Sequence, residues 1–286
     1  MSLLDRLTFG VGTQFKTIFN LNAAVYVCHA GPYLSDKFFD LTGSFSYAIA
    51  ALQGYFARLQ QQQRLGKKKS EVEKGNLRAG IATTGVLIWA VRLGTFLFTR
   101  ISRDGVDSRQ DSLKASGRLL YSIFWLYQVF WCSVVGLPVY LTNKHASEHS
   151  LDNIDYLGMT LWLCGFGFEA LADQQKRVFA NAGYRETTKG FITSGVWSMS
   201  RHPNYAGEIM LWLGMSIFGW NSVRRSTTCP VAAVSFLSPA WTYYILNYFS
   251  GIPLLERKMR KKFKHNPEFQ QWLKKTPILF PIFGSV

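Results

Sequence analysis

Apolar side chains in this chain come in long blocks rather than in alternation with polar ones. The clearest blocks are Leu77–Ile101, Gly117–Leu141, Asn153–Ala172, Tyr205–Trp220 and Cys229–Phe249. A helix of about 20 such residues crosses the hydrocarbon core of a bilayer. Two earlier blocks are weaker: Asn22–Leu34 is interrupted by Gly31-Pro32, and Leu41–Ala57 carries Ser, Thr and Gln. The pattern predicts an all-α fold, a multi-spanning integral membrane helical bundle of about six or seven transmembrane helices. A large soluble core can hold helices that are apolar all round. Apolar blocks that alternate with basic loops belong to the membrane case. Tyr205–Trp220 is short, so its helix is expected to begin inside the motif before it. With no repeat, low-complexity linker or acidic tail, the chain reads as a single membrane domain over 1–286. Its poorly defined N-terminal region covers 1–76 and its core 77–286.

Charge sits between the blocks. Arg58–Arg78 holds seven basic and two acidic residues, Arg100–Arg118 five and three, and the tail from Glu256 eight and two. Asn143–Asp152 is slightly acidic and carries His145 and His149. The positive-inside rule puts the tail, the 173–204 loop and the 100–118 loop on one face and 143–152 on the other. The 58–78 loop breaks this alternation if Leu77–Ile101 crosses once, so the topology of the first third is open. Met1–Asn20 mixes Arg6, Lys16 and Asp5 with apolar residues. It fits an interfacial helix as well as a weak organellar targeting segment.

Composition narrows the class further. The 286 residues are 48% hydrophobic, 15% aromatic and only 17% charged, with a net charge of +15. The mean hydropathy of +0.03 averages strongly apolar blocks with strongly basic loops. Disordered, collagenous and disulfide-scaffold chains are excluded, and two ordinary soluble domains are disfavoured. Cys28, Cys132, Cys164 and Cys229 lie in or beside apolar segments with no CxxC pair, which reads as free thiols and no zinc site.

The richest motif runs from Gly195 to Glu208 and leads straight into an apolar block. Arg201, His202, Asn204, Tyr205 and Glu208 crowd a membrane mouth, where polar groups are costly without partners. Pro203 suits a helix start, and Asn204 and Glu208 then share a face. An anion near Arg201 and His202 would also feel the helix N-terminus. The bland alternative is a basic anchor at the headgroups. Upstream, Glu169, Asp173, Lys176 and Arg177 have helical spacing at the end of another apolar block, compatible with surface ion pairs or with a shared pocket. His145 and His149 are four apart but lack a third metal ligand. Arg92 lies inside an apolar block, near enough to its end to snorkel. The basic run Arg257–Lys264 follows a span, which favours anionic headgroups over nucleic acid. Gly10-Val-Gly12 lacks the third glycine of a dinucleotide fingerprint.

Together these stretches resemble the steroid 5-alpha-reductase-like family of membrane proteins, in a largely uncharacterised branch related to sterol reductases and isoprenylcysteine carboxyl methyltransferases. The likeness rests on Phe168-Glu-Ala-x-Ala-Asp-x-Gln-Lys176, Gly195-x-Trp197, Ser-Arg-His-Pro-Asn-Tyr-x-Gly-Glu208 and Ser250-Gly-Ile-Pro-Leu-Leu-Glu256. Arg92-Leu-Gly-Thr-Phe-Leu-x-x-Arg100, Gly105-x-Asp-x-Arg109 and the tail from Asn266 to Pro281 extend it over roughly 77–283. The resemblance implies a membrane reductase that uses NADPH. Asp173, Lys176 and Arg177 would contact its adenosine-phosphate part. Arg201, His202, Asn204, Tyr205 and Glu208 would line the pyrophosphate and nicotinamide part, with Trp197 and Glu256 beside them. Arg forks suit phosphates, and buried Asn and Glu can hold a carboxamide. Tyr205 and Glu208 are the catalytic candidates, Tyr205 as a phenol that donates or steers a proton.

Two departures stand out. The steroid-reducing members place a Glu and a Tyr in the N-terminal half against the substrate carbonyl, and neither is matched here. Ala206 also stands where an aromatic is usual. The expected activity is reduction of a C=C bond in a lipid-soluble, steroid-, sterol- or isoprenoid-like substrate. The isoprenylcysteine carboxyl methyltransferases share Arg-His-Pro-x-Tyr-x-Gly, which makes an S-adenosylmethionine-dependent methyltransferase the alternative. A non-catalytic structural or lipid-binding subunit of a larger membrane complex is a third. Expected partners are membrane lipids and the lipid substrate, with no nucleic acid and no metal. The endoplasmic reticulum is the first expected membrane, and a mitochondrial or other organellar membrane the second.

Overall fold

The computed structural model describes residues 8–64, 69–104, 114–115, 117–183 and 190–280. Asp5, Arg6, Lys67, Lys68, the Gly105–Arg109 motif and Pro281 lie outside them. The described structure is 82% helical and has no strand. Among the described residues, three helical runs are long and apolar enough to cross a membrane: Lys69–Ser102, Arg118–Val135 and Cys229–Lys262. They coincide with three of the blocks expected to span. The other two blocks form the helices Asn153–Asn181 and Pro203–Val223.

The chain divides into two compact units, Met1–Tyr156 with Ser216–Ser238, and Leu157–Met215 with Pro239–Val286. The first holds α1 (Gly12–Val25), α2 (Phe39–Arg64), α3 (Lys69–Asp104), α4 (Arg118–Val135) and α5 (Leu137–His145). The weak block Asn22–Leu34 is not one helix. It holds the end of α1 and a π-helical turn at Tyr26–Ala30, and it closes at Leu34, whose φ is +47°.

Polarity in this unit runs from inside to outside. Along α4, Leu119, Ile123, Leu126 and Phe130 are exposed at helical spacing, while Tyr121, Trp125, Gln128 and Cys132 are buried. Asn22, Ser46 and Gln128 form a buried hydrogen-bonded chain, with Gln128 Nε2 donating to Asn22 Oδ1 at 2.8 Å and Asn22 Nδ2 to Ser46 Oγ at 3.0 Å. Buried polar groups must be paired wherever no water can satisfy them. At one end, Arg78 and Asp155 are both fully buried and make a two-pronged pair, Nη1–Oδ1 2.5 Å and Nη2–Oδ2 2.7 Å. Arg78 also donates to the carbonyls of His149 and Ser150 and to Ser222 Oγ. His145, expected in an exposed loop, is instead the half-buried last residue of α5, and its ring nitrogen lies 2.8 Å from the Phe9 carbonyl.

The second unit is built on α6 (Asn153–Asn181) and α7 (Pro203–Val223), through the parts of each that belong to it. They run antiparallel along a glycine seam. A methyl group on Gly207 would lie 2.6 Å from Glu169 N and 2.7 Å from the Gly165 carbonyl oxygen, and one on Gly214 would lie 2.6 Å from the Gly158 oxygen. The glycines recur every seven residues on both helices, so backbone meets backbone. α8 (Cys229–Ala233) belongs to the first unit; from Pro239 on, α9 (Leu237–Tyr244) leads through a π-helical turn, Ile245–Phe249, to α10 (Ile252–Lys262) and α11 (Pro267–Lys275) in the second.

Candidate cofactor site

The Gly195–Glu208 motif folds as a 3-10 turn, Gly195–Ser198, followed by a short bent link and the start of α7 at Pro203. Gly195 takes φ +61°, a conformation that glycine adopts freely. The neighbouring Val196 N–H donates to Gln175 Oε1 at 3.1 Å. Trp197 donates its indole N–H to the Ala172 carbonyl at 3.1 Å, and Trp272 donates to the Trp197 carbonyl at 3.3 Å. The C-terminal strap anchors the next two residues: Arg201 N–H donates to the Pro277 carbonyl at 2.9 Å and His202 N–H to that of Ile278 at 3.2 Å. The motif is therefore held from two sides before α7 begins.

These anchors set the side chains around Glu256. Arg201 Nη1 lies 2.9 Å from Glu256 Oε2, and His202 Nε2 lies 3.2 Å from Oε1. Arg260, one turn further along α10, adds a third contact to Oε2 at 3.3 Å. Arg201 is only 2% exposed, so it points into the protein and not toward lipid. Burial lowers the His202 pKa below its ordinary value, against the opposing pull of Glu256, with Lys176 and Arg201 pushing the same way as burial. His202 is then neutral near pH 7. Its contact with Glu256 is a hydrogen bond from Nε2–H to a carboxylate, not an ion pair. Burial also lowers the Arg201 pKa, opposed by Glu256, yet a guanidinium stays charged at any physiological pH.

The remaining candidates divide by position. Tyr205 is half-buried and stacks on His202, with centroids 5.7 Å apart and planes 12° apart, while Asn204 and Glu208 are half-buried on α7. Glu169 and Asp173 are buried on the α6 face of the glycine seam. Lys176 Nζ sits 5.3 Å from the Trp197 ring centroid. Arg177 departs from this group: it is exposed and donates to Gln174 Oε1 at 2.6 Å. Sequence reasoning missed Gln175, which braces the 3-10 turn, and Arg260. The spacing of four between Glu256 and Arg260 was a usable signal; Gln175 stood inside the quoted motif ending at Lys176 but was given no role there.

One atom in the cluster is unsatisfied. Arg201 Nε is buried and has no hydrogen-bond partner among the described residues. A buried donor on a cationic fork is a demand for an anionic acceptor. A phosphate or carboxylate oxygen fits that demand, so the residues present suit either NADPH or S-adenosylmethionine.

Residues 33–276 match the model of a family described as "Protein of unknown function (DUF1295)". The chain belongs to this family. Among curated proteins, it is similar to "Uncharacterized protein C594.04c" of Schizosaccharomyces pombe, at 24% identity over 49% of this chain and 43% of that protein. It is also similar to "Protein-S-isoprenylcysteine O-methyltransferase A" of Arabidopsis thaliana, at 31% identity over 25% of this chain and 36% of that protein. The matches thus span less than half the length of either relative. No solved structure matches the DUF1295 chain.

Proposed function

We propose that this DUF1295 protein is a multi-spanning membrane enzyme. In this reading the Arg201–His202–Glu256 cluster binds the anionic part of NADPH for reduction of a C=C bond in a lipid-soluble substrate. The carrying observation is the buried, unsatisfied Arg201 Nε within a cluster already ordered by Glu256. The relation of the family to steroid 5-alpha-reductase-like proteins supports the choice of cofactor. The outward apolar row Leu119, Ile123, Leu126 and Phe130 of α4 supports the membrane setting, with α6 and α7 counted among six or seven spans in the endoplasmic reticulum or another organellar membrane. Arg201 holds the anion, His202 and Tyr205 stack to form one wall, and Asn204 and Glu208 on the same face of α7 orient the reactive ring. Asp173, Lys176 and Trp197 would hold the adenosine end. When bound, NADPH supplies the hydride, and the Tyr205 hydroxyl delivers the proton to the other carbon.

The S-adenosylmethionine reading has its own support in the Arabidopsis thaliana methyltransferase relative. There Arg201 Nε would hold the carboxylate of the cofactor. A thermal-shift titration of the purified protein separates the two. Stabilisation by NADPH that is lost in Arg201→Ala is expected. Stabilisation by S-adenosylmethionine alone reverses the assignment, and no response to either removes the cofactor reading.

A further inference from the structure

The basic run after Glu256 is folded, and this determines what it can do. Met259 and Phe263 of the α10 segment pack with Phe191, Phe269, Leu273 and Trp272, which pins α10 and α11 together through an aromatic core. Phe191 and Phe263 lie 5.1 Å apart edge to face, as do Phe191 and Phe269. Phe263 is thereby buried and Met259 partly buried inside the protein, while Leu254 in the first turn of α10 stays 47% exposed. Arg257, Lys258, Lys261 and Lys264 remain exposed on the other side. Just before this helix, Tyr248 and Phe249 are exposed by 62% and 63%. Exposed aromatics next to a cationic face are the pairing found at a membrane–water interface.

We propose that the α10 face is a docking surface for anionic phospholipid headgroups, with Tyr248 and Phe249 marking the depth at which it meets the bilayer. Charge complementarity selects this occupant, because the only acid on α10, Glu256, is engaged by Arg201 and His202. An interfacial amphipathic helix buries its apolar face in lipid and is held mainly by that burial. The α10 helix offers lipid one large apolar side chain, Leu254, against a row of cations, so its attraction is mainly electrostatic and must weaken with salt. Arg260 contributes to the surface and also touches Glu256. A headgroup that draws Arg260 away leaves the carboxylate to Arg201 and His202, which links lipid charge to the cluster.

The test uses the full chain in nonionic detergent, titrated with short-chain phosphatidylserine or phosphatidylcholine and read by thermal shift. Phosphatidylserine is expected to bind about tenfold more tightly near 50 mM salt, with the preference gone near 500 mM. The variant Arg257→Gln/Lys258→Gln/Lys261→Gln/Lys264→Gln should lose that preference yet keep its melting temperature in phosphatidylcholine. Equal affinity for the two lipids overturns the proposal, as does a salt-insensitive preference. An equal shift from inorganic phosphate shows a general anion site, and one from a short DNA duplex shows a nucleic-acid surface; either overturns it. Because the readout needs no NADPH, the outcome is independent of the cofactor assignment.

Discussion

Gly207 is where the seam between α6 and α7 can be broken by a single methyl group. In Gly207→Ala the new Cβ would stand 2.6 Å from Glu169 N, 2.7 Å from the Gly165 oxygen and 2.9 Å from Glu169 Cα. All three obstacles are backbone, so no rotamer change relieves them. Ordinary contact begins near 3.4 Å, and α6 must retreat by about 0.8 Å. Overpacking of this kind costs about 1–3 kcal/mol, and a backbone obstacle belongs at the upper end, about 3 kcal/mol. Alanine returns roughly 1 kcal/mol as a better helix former, leaving a net loss of about 2 kcal/mol. Gly167→Ala on α6 is the control, because a Cβ there meets nothing within 4 Å. It should gain about 1 kcal/mol from helix propensity alone.

The assay is the melting temperature of the purified protein followed by tryptophan fluorescence in detergent. Gly207→Ala should melt about 4–8 °C below the wild type and Gly167→Ala about 2–4 °C above it. Because the seam sets Glu169 and Asp173 against the start of α7, Gly207→Ala should also weaken NADPH binding. Equal melting temperatures for the two variants would refute backbone contact at the seam.

The buried Arg78–Asp155 pair gives a second expectation. Asp155→Asn leaves a buried guanidinium without its counter-ion and should cost about 3–5 kcal/mol, whereas Arg78→Met/Asp155→Leu should recover most of that loss; chemical denaturation of the three proteins checks it. A third concerns pH. Burial holds the folded His202 below its ordinary value, so the unfolded chain takes up its proton first as the pH falls. Stability is full above about pH 6.5 and declines as the pH drops toward the folded value. Melting curves between about pH 7.5 and 5.5 should show a fall in the wild type that His202→Gln lessens.

The helices were legible because each is announced by a run of apolar residues or by a local signal. Pro203 opening α7 is one case, and its position follows from the missing N–H that helix starts tolerate. Pairings across the chain were less legible. Arg201 and Glu256 were both named from their motifs, but 55 residues separate them, and no spacing rule says that one neutralises the other. The glycine seam shows the same limit. Gly165, Gly207 and Gly214 stand in plain view in the sequence, yet a glycine in an apolar helix reads as a weak helix former until the backbone opposite it is known. Arg177 was nominated by spacing alone. Its spacing of four from Asp173 put it on the same stripe, one turn nearer the end of α6. The structure leaves Asp173 buried and Arg177 in contact with Gln174 on the exposed side. Periodicity therefore nominates the carboxylates of α6 for the site more securely than the cation that ends the run. The cation of the cluster is Arg201, which lies before its helix and is aimed by its own backbone hydrogen bond to Pro277 and that of His202 to Ile278, which no periodic pattern records.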